Sequence, residues 1–134
     1  MTSTLVDSNI LIDIFTDNPV WSDWSLNQLT ALYQNSKLFI NPVIYSEVSI
    51  GFNKIEQFTR ILNTLPLNYV EIPVEALFLA GKVFLDYRKN EGKKSTTLPD
   101  FFIGAHASVM DWDIITRDPK RMKYYFPKLK IITP

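Results

Sequence analysis

Short apolar runs alternate along this chain with segments whose apolar residues recur at helical spacing, and that alternation constrains the fold more than any other feature. Leu5-Val6 leads into Asp7-Ser8-Asn9, all residue types that cap helices, and Ile10, Leu11, Ile14 and Phe15 then carry the helical period as far as Asp17-Asn18-Pro19. Trp24, Leu26, Leu29, Leu32 and Tyr33 predict an amphipathic helix from Ser22 to about Gln34, and Lys37 to Ile40 a strand. Asn41-Pro42 is a cap followed by a first-turn proline. It predicts a helix through Val43, Ile44, Glu47 and Val48 up to Gly51. Phe58, Ile61, Leu62 and Leu65 mark another helix before Pro66, and Tyr69 to Ile72 reads as a strand.

From Val74 to about Arg88 the period is helical again, whereas Lys89 to Thr97 is polar, contains Gly92 and is expected to be a mobile loop. Pro99 opens an apolar helix ending near Asp111-Trp112-Asp113. Ile114-Ile115 is the next strand, Asp118-Pro119 is expected to cap a short helix, and Lys130 to Ile132 is a last strand. This order predicts an α/β fold with a mainly parallel sheet. At 134 residues and 46% hydrophobic content, one domain spanning 1–134 is expected.

Composition removes several chemistries. With no Cys and a single His, disulfides, thiolate zinc sites and Cys nucleophiles lack their ligands or their nucleophile. No apolar run reaches the roughly 18 residues of a membrane span, and Met1 to Thr4 carries no basic leader. A reducing, cytoplasmic setting is therefore expected. Net charge is zero, but Lys37 is the one cation in the first fifty residues, against Asp7, Asp13, Asp17, Asp23 and Glu47. An acidic site beside a basic flank fits that asymmetry, and so does an ordinary mixed surface.

In a parallel sheet, ligands gather beyond the carboxyl ends of the strands. Asp7 follows the first predicted strand, Asp118 follows Ile114-Ile115, Glu47 lies one helical stretch after Ile40, and Asp100 falls in the first turn of its helix. Three of these four also suit plain helix capping. Glu47 resists that reading, because four and three residues before it stand Val43 and Ile44, which make its helix face apolar. A carboxylate turned toward a core needs a cation or a partner. Oxygen donors without His or Cys suit Mg2+ or Mn2+, one or two ions, and the matching chemistry is hydrolysis of a phosphodiester by metal-activated water. Asp13, Asp17, Asp23, Asp111 and Asp113 are read as solvated or capping, and His106 as a packed core residue.

Four segments carry a resemblance: Val6-Asp7-Ser8-Asn9-Ile10-Leu11, Asn41-Pro42-Val43-Ile44-Tyr45-Ser46-Glu47-Val48, Leu98-Pro99-Asp100-Phe101-Phe102-Ile103-Gly104-Ala105-His106-Ala107 and Thr116-Arg117-Asp118-Pro119. In order and spacing they resemble PIN-domain proteins, and in particular VapC-type toxins. The resemblance implies a three-layer α/β/α domain, divalent metal held by Asp7, Glu47, Asp100 and Asp118 as catalytic acids, endoribonuclease activity on structured RNA such as tRNA or rRNA, a VapB-like antitoxin partner and a homodimer. Asn9, Thr116 and Arg117 would hold waters, carboxylates or phosphate nearby. Lys89, Lys93, Lys94, Lys120, Arg121 and Lys123 are the candidates for a basic rim facing RNA. Two rival expectations stand beside this one: a PIN nuclease of RNA processing, and a non-catalytic module docking a basic peptide.

Overall fold

The structure is a computed structural model, described here for residues 1–90 and 98–134. The expected Lys93 and Lys94 of the basic rim, and most of the expected loop, lie outside the described residues. The elements run β1 (Thr2–Val6), α1 (Ser8–Phe15), α2 (Ser22–Tyr33), β2 (Ser36–Ile40), α3 (Pro42–Ser49), α4 (Ile55–Leu62), β3 (Leu67–Tyr69), α5 (Val74–Asn90), α6 (Leu98–Met110), β4 (Asp113–Ile115), α7 (Lys120–Tyr125) and β5 (Ile131–Ile132). Among the described residues, no helix is long and apolar enough to cross a membrane.

The strand order is β3-β2-β1-β4-β5, and every pairing is parallel. From β1 the chain moves outward through β2 to β3, then returns past β1 to lay down β4 and β5 on its other side. Right-handed crossovers in opposite directions put α1 to α4 on one face and α5 to α7 on the other. This gives the α/β/α layering that the resemblance implies. The reversal also creates a crevice beyond the carboxyl ends of β1 and β4, where neighbouring loops diverge.

The larger core cluster joins Leu5 and Val6 of β1, Ile10 and Leu11 of α1, Leu38 and Ile40 of β2, and Ile114 and Ile115 of β4. The carboxyl ends of β1 and β4 are buried on both faces, which is why Leu5-Val6 and Ile114-Ile115 read as unbroken apolar runs, whereas β2 alternates, with Lys37 exposed. A second cluster packs α5 against α6 and the end of α7 through Ala76, Ala80, Tyr87, Phe101, Ala105 and Phe126. Gly104 makes this approach possible, since a Cβ there would penetrate the Phe126 ring.

Three local expectations are corrected. Strand β3 occupies Leu67–Tyr69 where Tyr69 to Ile72 was expected. Its partner β2 ends at Ile40, paired with Tyr69, and Asn41-Pro42 then turns into α3, so the ladder has nothing further to pair with. Helix α5 continues to Asn90, which makes Lys89 helical instead of part of a loop. Asp118 does not cap α7: Pro119 occupies the cap position, and no side chain bonds the first turn.

Candidate active site

Asp7 is placed by the junction of β1 and α1. As N-cap it accepts a hydrogen bond from the Ser8 amide at 2.7 Å on Oδ1, and it accepts another from the Thr116 hydroxyl at 2.7 Å on Oδ2. Thr116 follows β4, so one hydroxyl ties the carboxyl ends of the two central strands together. The same Thr116 oxygen accepts from the Asp118 amide at 3.1 Å and from Asn9 Nδ2 at 3.2 Å. Asn9 Oδ1 accepts from the Arg117 amide at 3.2 Å. Asn9 and Thr116 thus hold the first acid and the loop bearing the last one in a single network.

Glu47 reaches this network from α3, where its Oε1 accepts from the Ser8 hydroxyl at 2.8 Å. Helix α3 is in turn fixed at its start by Asn41, whose Oδ1 accepts from the Ile44 amide at 2.9 Å. Asn41 Nδ2 also bonds His106 Nδ1 at 3.1 Å, and both side chains are buried. His106 is therefore a core residue locking α3 to α6, as the sequence suggested. Its pKa is lowered by burial.

Asp100 enters from the first turn of α6, and its Oδ2 lies 3.7 Å from Arg121 Nη1. Asp118 is exposed on the loop after β4.

Burial lifts Asp7 from its ordinary value to about 6, against the pull of its hydrogen bonds from Thr116 and Ser8, and the charge of Glu47 adds to the rise. Asp100 is likewise pushed up to about 6, by burial first, then by repulsion from Asp7, with Arg121 opposing and Asp118 adding. Glu47 is raised by burial and by Asp100, against the Ser8 hydrogen bond. Each of the four acids thus acts on, or is acted on by, at least one of the others. The structure brings Asp7, Glu47, Asp100 and Asp118 to one place, although three of the four belong to elements far apart in sequence.

Oxygen-only donors of this kind fit a hard divalent cation. Among the described residues no group of three or more acids is already placed to hold a metal ion. Asp7 is held at both oxygens and Glu47 at one, while Asp118, which does not cap α7, is exposed.

Arg117 holds a carboxylate, but a different one from the four. Its guanidinium pairs with Asp13 of α1, with Nη2 3.0 Å from Oδ1, and stacks over the Trp21 ring at 5.3 Å. Asp13 is buried, and Ser25 adds a hydroxyl contact at 3.4 Å. The reading of Asp13 as solvated or capping is therefore wrong. The signal was present: Asp13 follows Ile10 by three residues and sits inside the same apolar run, the argument applied to Glu47. Asp17 and Asp23 are exposed, and Asp17 and Asp111 adopt left-handed backbone at φ 50° and 56°, as loop and helix-end Asp residues readily do. Of the rim cations, Lys120 and Arg121 line a cavity beside Asp118. Lys89 and Lys123 are exposed elsewhere on α5 and α7.

Comparison with known proteins bears on the family and the fold. The family model described as the PIN domain matches residues 4–126. A search of the curated proteins finds no match. Among solved structures, VapBC2 from Rickettsia felis bound to a promoter DNA fragment is similar at 20% identity and a TM-score of 0.76, covering 98% of each chain. A toxin–antitoxin complex from Klebsiella pneumoniae is similar at 26% identity and a TM-score of 0.69, over 98% of this chain and 97% of that one. VapBC-1 from nontypeable Haemophilus influenzae is similar at 19% identity and a TM-score of 0.72, covering 98% of both. The chain belongs to the PIN domain family.

Proposed function

We propose that this protein is a divalent-metal-dependent endoribonuclease acting as the toxin of a toxin–antitoxin pair. The observation that carries the proposal is the convergence of Asp7, Glu47, Asp100 and Asp118 beyond the ends of β1 and β4, with Asp7 and Asp100 lifted to about 6. Concentrated negative charge that burial makes unfavourable is a site waiting for a cation.

Asp7, Glu47, Asp100 and Asp118 would hold Mg2+ or Mn2+, which when bound supplies an acidified water and offsets charge on the phosphate. The remaining work falls to the chain's own groups. Thr116 and Ser8 fix the Asp7 carboxylate, and Ser8 orients Glu47. Arg121 and Lys120 offer cations to phosphate oxygens next to the acids. The toxin assignment, with a VapB-like antitoxin as partner, rests on likeness to the toxin–antitoxin complexes. A homodimer belongs to the same reading. Val74, Phe78 and Leu85 form an exposed apolar stripe on α5 that suits one.

The proposal is tested by titrating Mn2+ and Mg2+ into the purified protein and following heat of binding and melting temperature. Binding that saturates, raises the melting temperature and is lost in Asp7→Asn is expected. Ions at a hundred times their Kd should stabilise the fold by about 2.7 kcal/mol. A protein indifferent to both ions at millimolar concentration would overturn the metal site.

A further inference from the structure

A cavity of about 580 Å3 opens beside Asp118 and is lined by Asn90, Asp118, Lys120, Arg121, Tyr124 and Tyr125. Among the described residues two cations, one carboxylate, two phenol rings and an amide make it unlike a packing gap in an apolar core. Arg121, Tyr124 and Tyr125 lie three and four positions apart on α7, so they share a side of the helix. Arg121 stands where the cavity meets the acids, 3.7 Å from Asp100 Oδ2 and over the Tyr87 ring at 5.4 Å. Tyr124 is 69% exposed, too open to serve as core, and meets Tyr125 edge-on with centroids 4.7 Å apart. At that exposure the Tyr124 ring is open to another flat group.

We propose that this cavity is a nucleotide subsite, receiving one unstacked nucleotide of an RNA strand whose scissile phosphate lies at the acids. This deepens the nuclease reading above and rests on it for the position of that phosphate. Arg121 and Lys120 meet the nucleotide's phosphate oxygens, and the Tyr124 ring stacks on its base. Arginine suits the phosphate because its planar fork matches two oxygens at once. A tyrosine face accepts any base, since every base has a π-surface. Arg121 and Tyr124 are separated by roughly 4.5 Å along the helix axis, comparable with the span from phosphate to base in one nucleotide. Proteins read RNA at loops and bulges for the same reason: only there are bases free to leave the stack and lie on an aromatic ring.

The probes are adenosine and uridine 5′-monophosphate, ribose 5-phosphate and inorganic phosphate, titrated into the whole protein with Ca2+ present to screen the acids. Binding is followed by NMR at the amides of residues 118–125 and the ring of Tyr124. Both mononucleotides should bind more tightly than ribose 5-phosphate or inorganic phosphate, with shifts centred on α7. Tyr124→Ala should weaken mononucleotide binding about tenfold, down to the level of ribose 5-phosphate, while Tyr124→Phe retains it and both variants keep the wild-type melting temperature. Arg121→Ala should weaken all four ligands. Equal binding of phosphate and mononucleotide, or indifference to Tyr124→Ala, overturns the base half of the subsite; shifts confined to other surfaces overturn all of it. RNA cleavage without a mononucleotide response on α7 removes the subsite and leaves the nuclease, whereas a response on α7 without cleavage keeps the binding site and removes the nuclease.

Discussion

The Arg117 guanidinium and the buried Asp13 carboxylate pair across the gap between α1 and the loop after β4, with Nη2 and Oδ1 3.0 Å apart. The pair fastens the segment carrying Thr116 and Asp118 to the helix carrying Asp7 and Asn9. It also turns Arg117 away from the four acids and leaves Arg121 as the guanidinium beside them. The sum is an acidic crevice whose two walls are tied together from behind.

Breaking that tie should be costly. Asp13→Asn leaves a guanidinium without its counter-charge at a site where the Arg117 side chain is only 29% exposed. A loss on the order of 3 kcal/mol is expected in denaturant unfolding. Replacing both partners by apolar residues of similar size should recover much of it, because no orphan charge then remains. A single variant as stable as wild type would show that the pair contributes little.

The acids set the pH dependence of the metal-free protein. Asp7 and Asp100 are lifted from 3.8 to about 6, so the folded state binds protons that the unfolded state has already released. Their contribution to stability is full below about pH 4 and is lost as pH rises through about 6. His106, lowered by burial, acts in the opposite sense: its contribution is present above its unfolded value of 6.5 and fades as pH falls. The two are separable by mutation. In EDTA, the unfolding free energy of Asp7→Asn should gain on that of wild type steadily between pH 4 and 7, by on the order of 2 kcal/mol. A difference that does not change with pH would contradict the raised value for Asp7.

Gly104 of α6 lies directly against the Phe126 ring at the end of α7. Gly104→Ala should lower the melting temperature even though alanine favours helices, because its methyl group would collide with the Phe126 ring. About 1–3 kcal/mol is expected from overpacking, and Phe126→Leu should relieve part of it. If Gly104→Ala melts at or above wild type, the helix pair has room that the structure denies.

Much of this was legible in the chain. The buried strands read as apolar runs because a parallel sheet covered on both faces leaves no polar side to alternate with, and Asn41-Pro42 announced α3 to the residue. Glu47 stood out as an acid on an apolar helix face. Asp13 satisfied the same test and was passed over, since its partner Arg117 lies a hundred residues away and no local pattern connects them. The strand order was likewise invisible. Periodicity shows which elements exist, but only tertiary packing decides that β1 and β4 lie side by side and that Thr116 reaches Asp7. Asp118-Pro119 misled in the other direction, because a favoured capping sequence preceded a helix that begins without its help.

On the function proposed above, the four acids cut RNA with the help of a divalent ion. The most direct measurement incubates purified wild type and Asp100→Asn with total cellular RNA in Mg2+, Mn2+ or EDTA and maps the new RNA ends. Asp100 is half-exposed on α6, so its isosteric replacement should leave the fold intact. Discrete ends that require the metal and vanish in Asp100→Asn are the predicted result. Strong cleavage by the folded mutant, or none by folded wild type loaded with metal and free of any antitoxin, would contradict it.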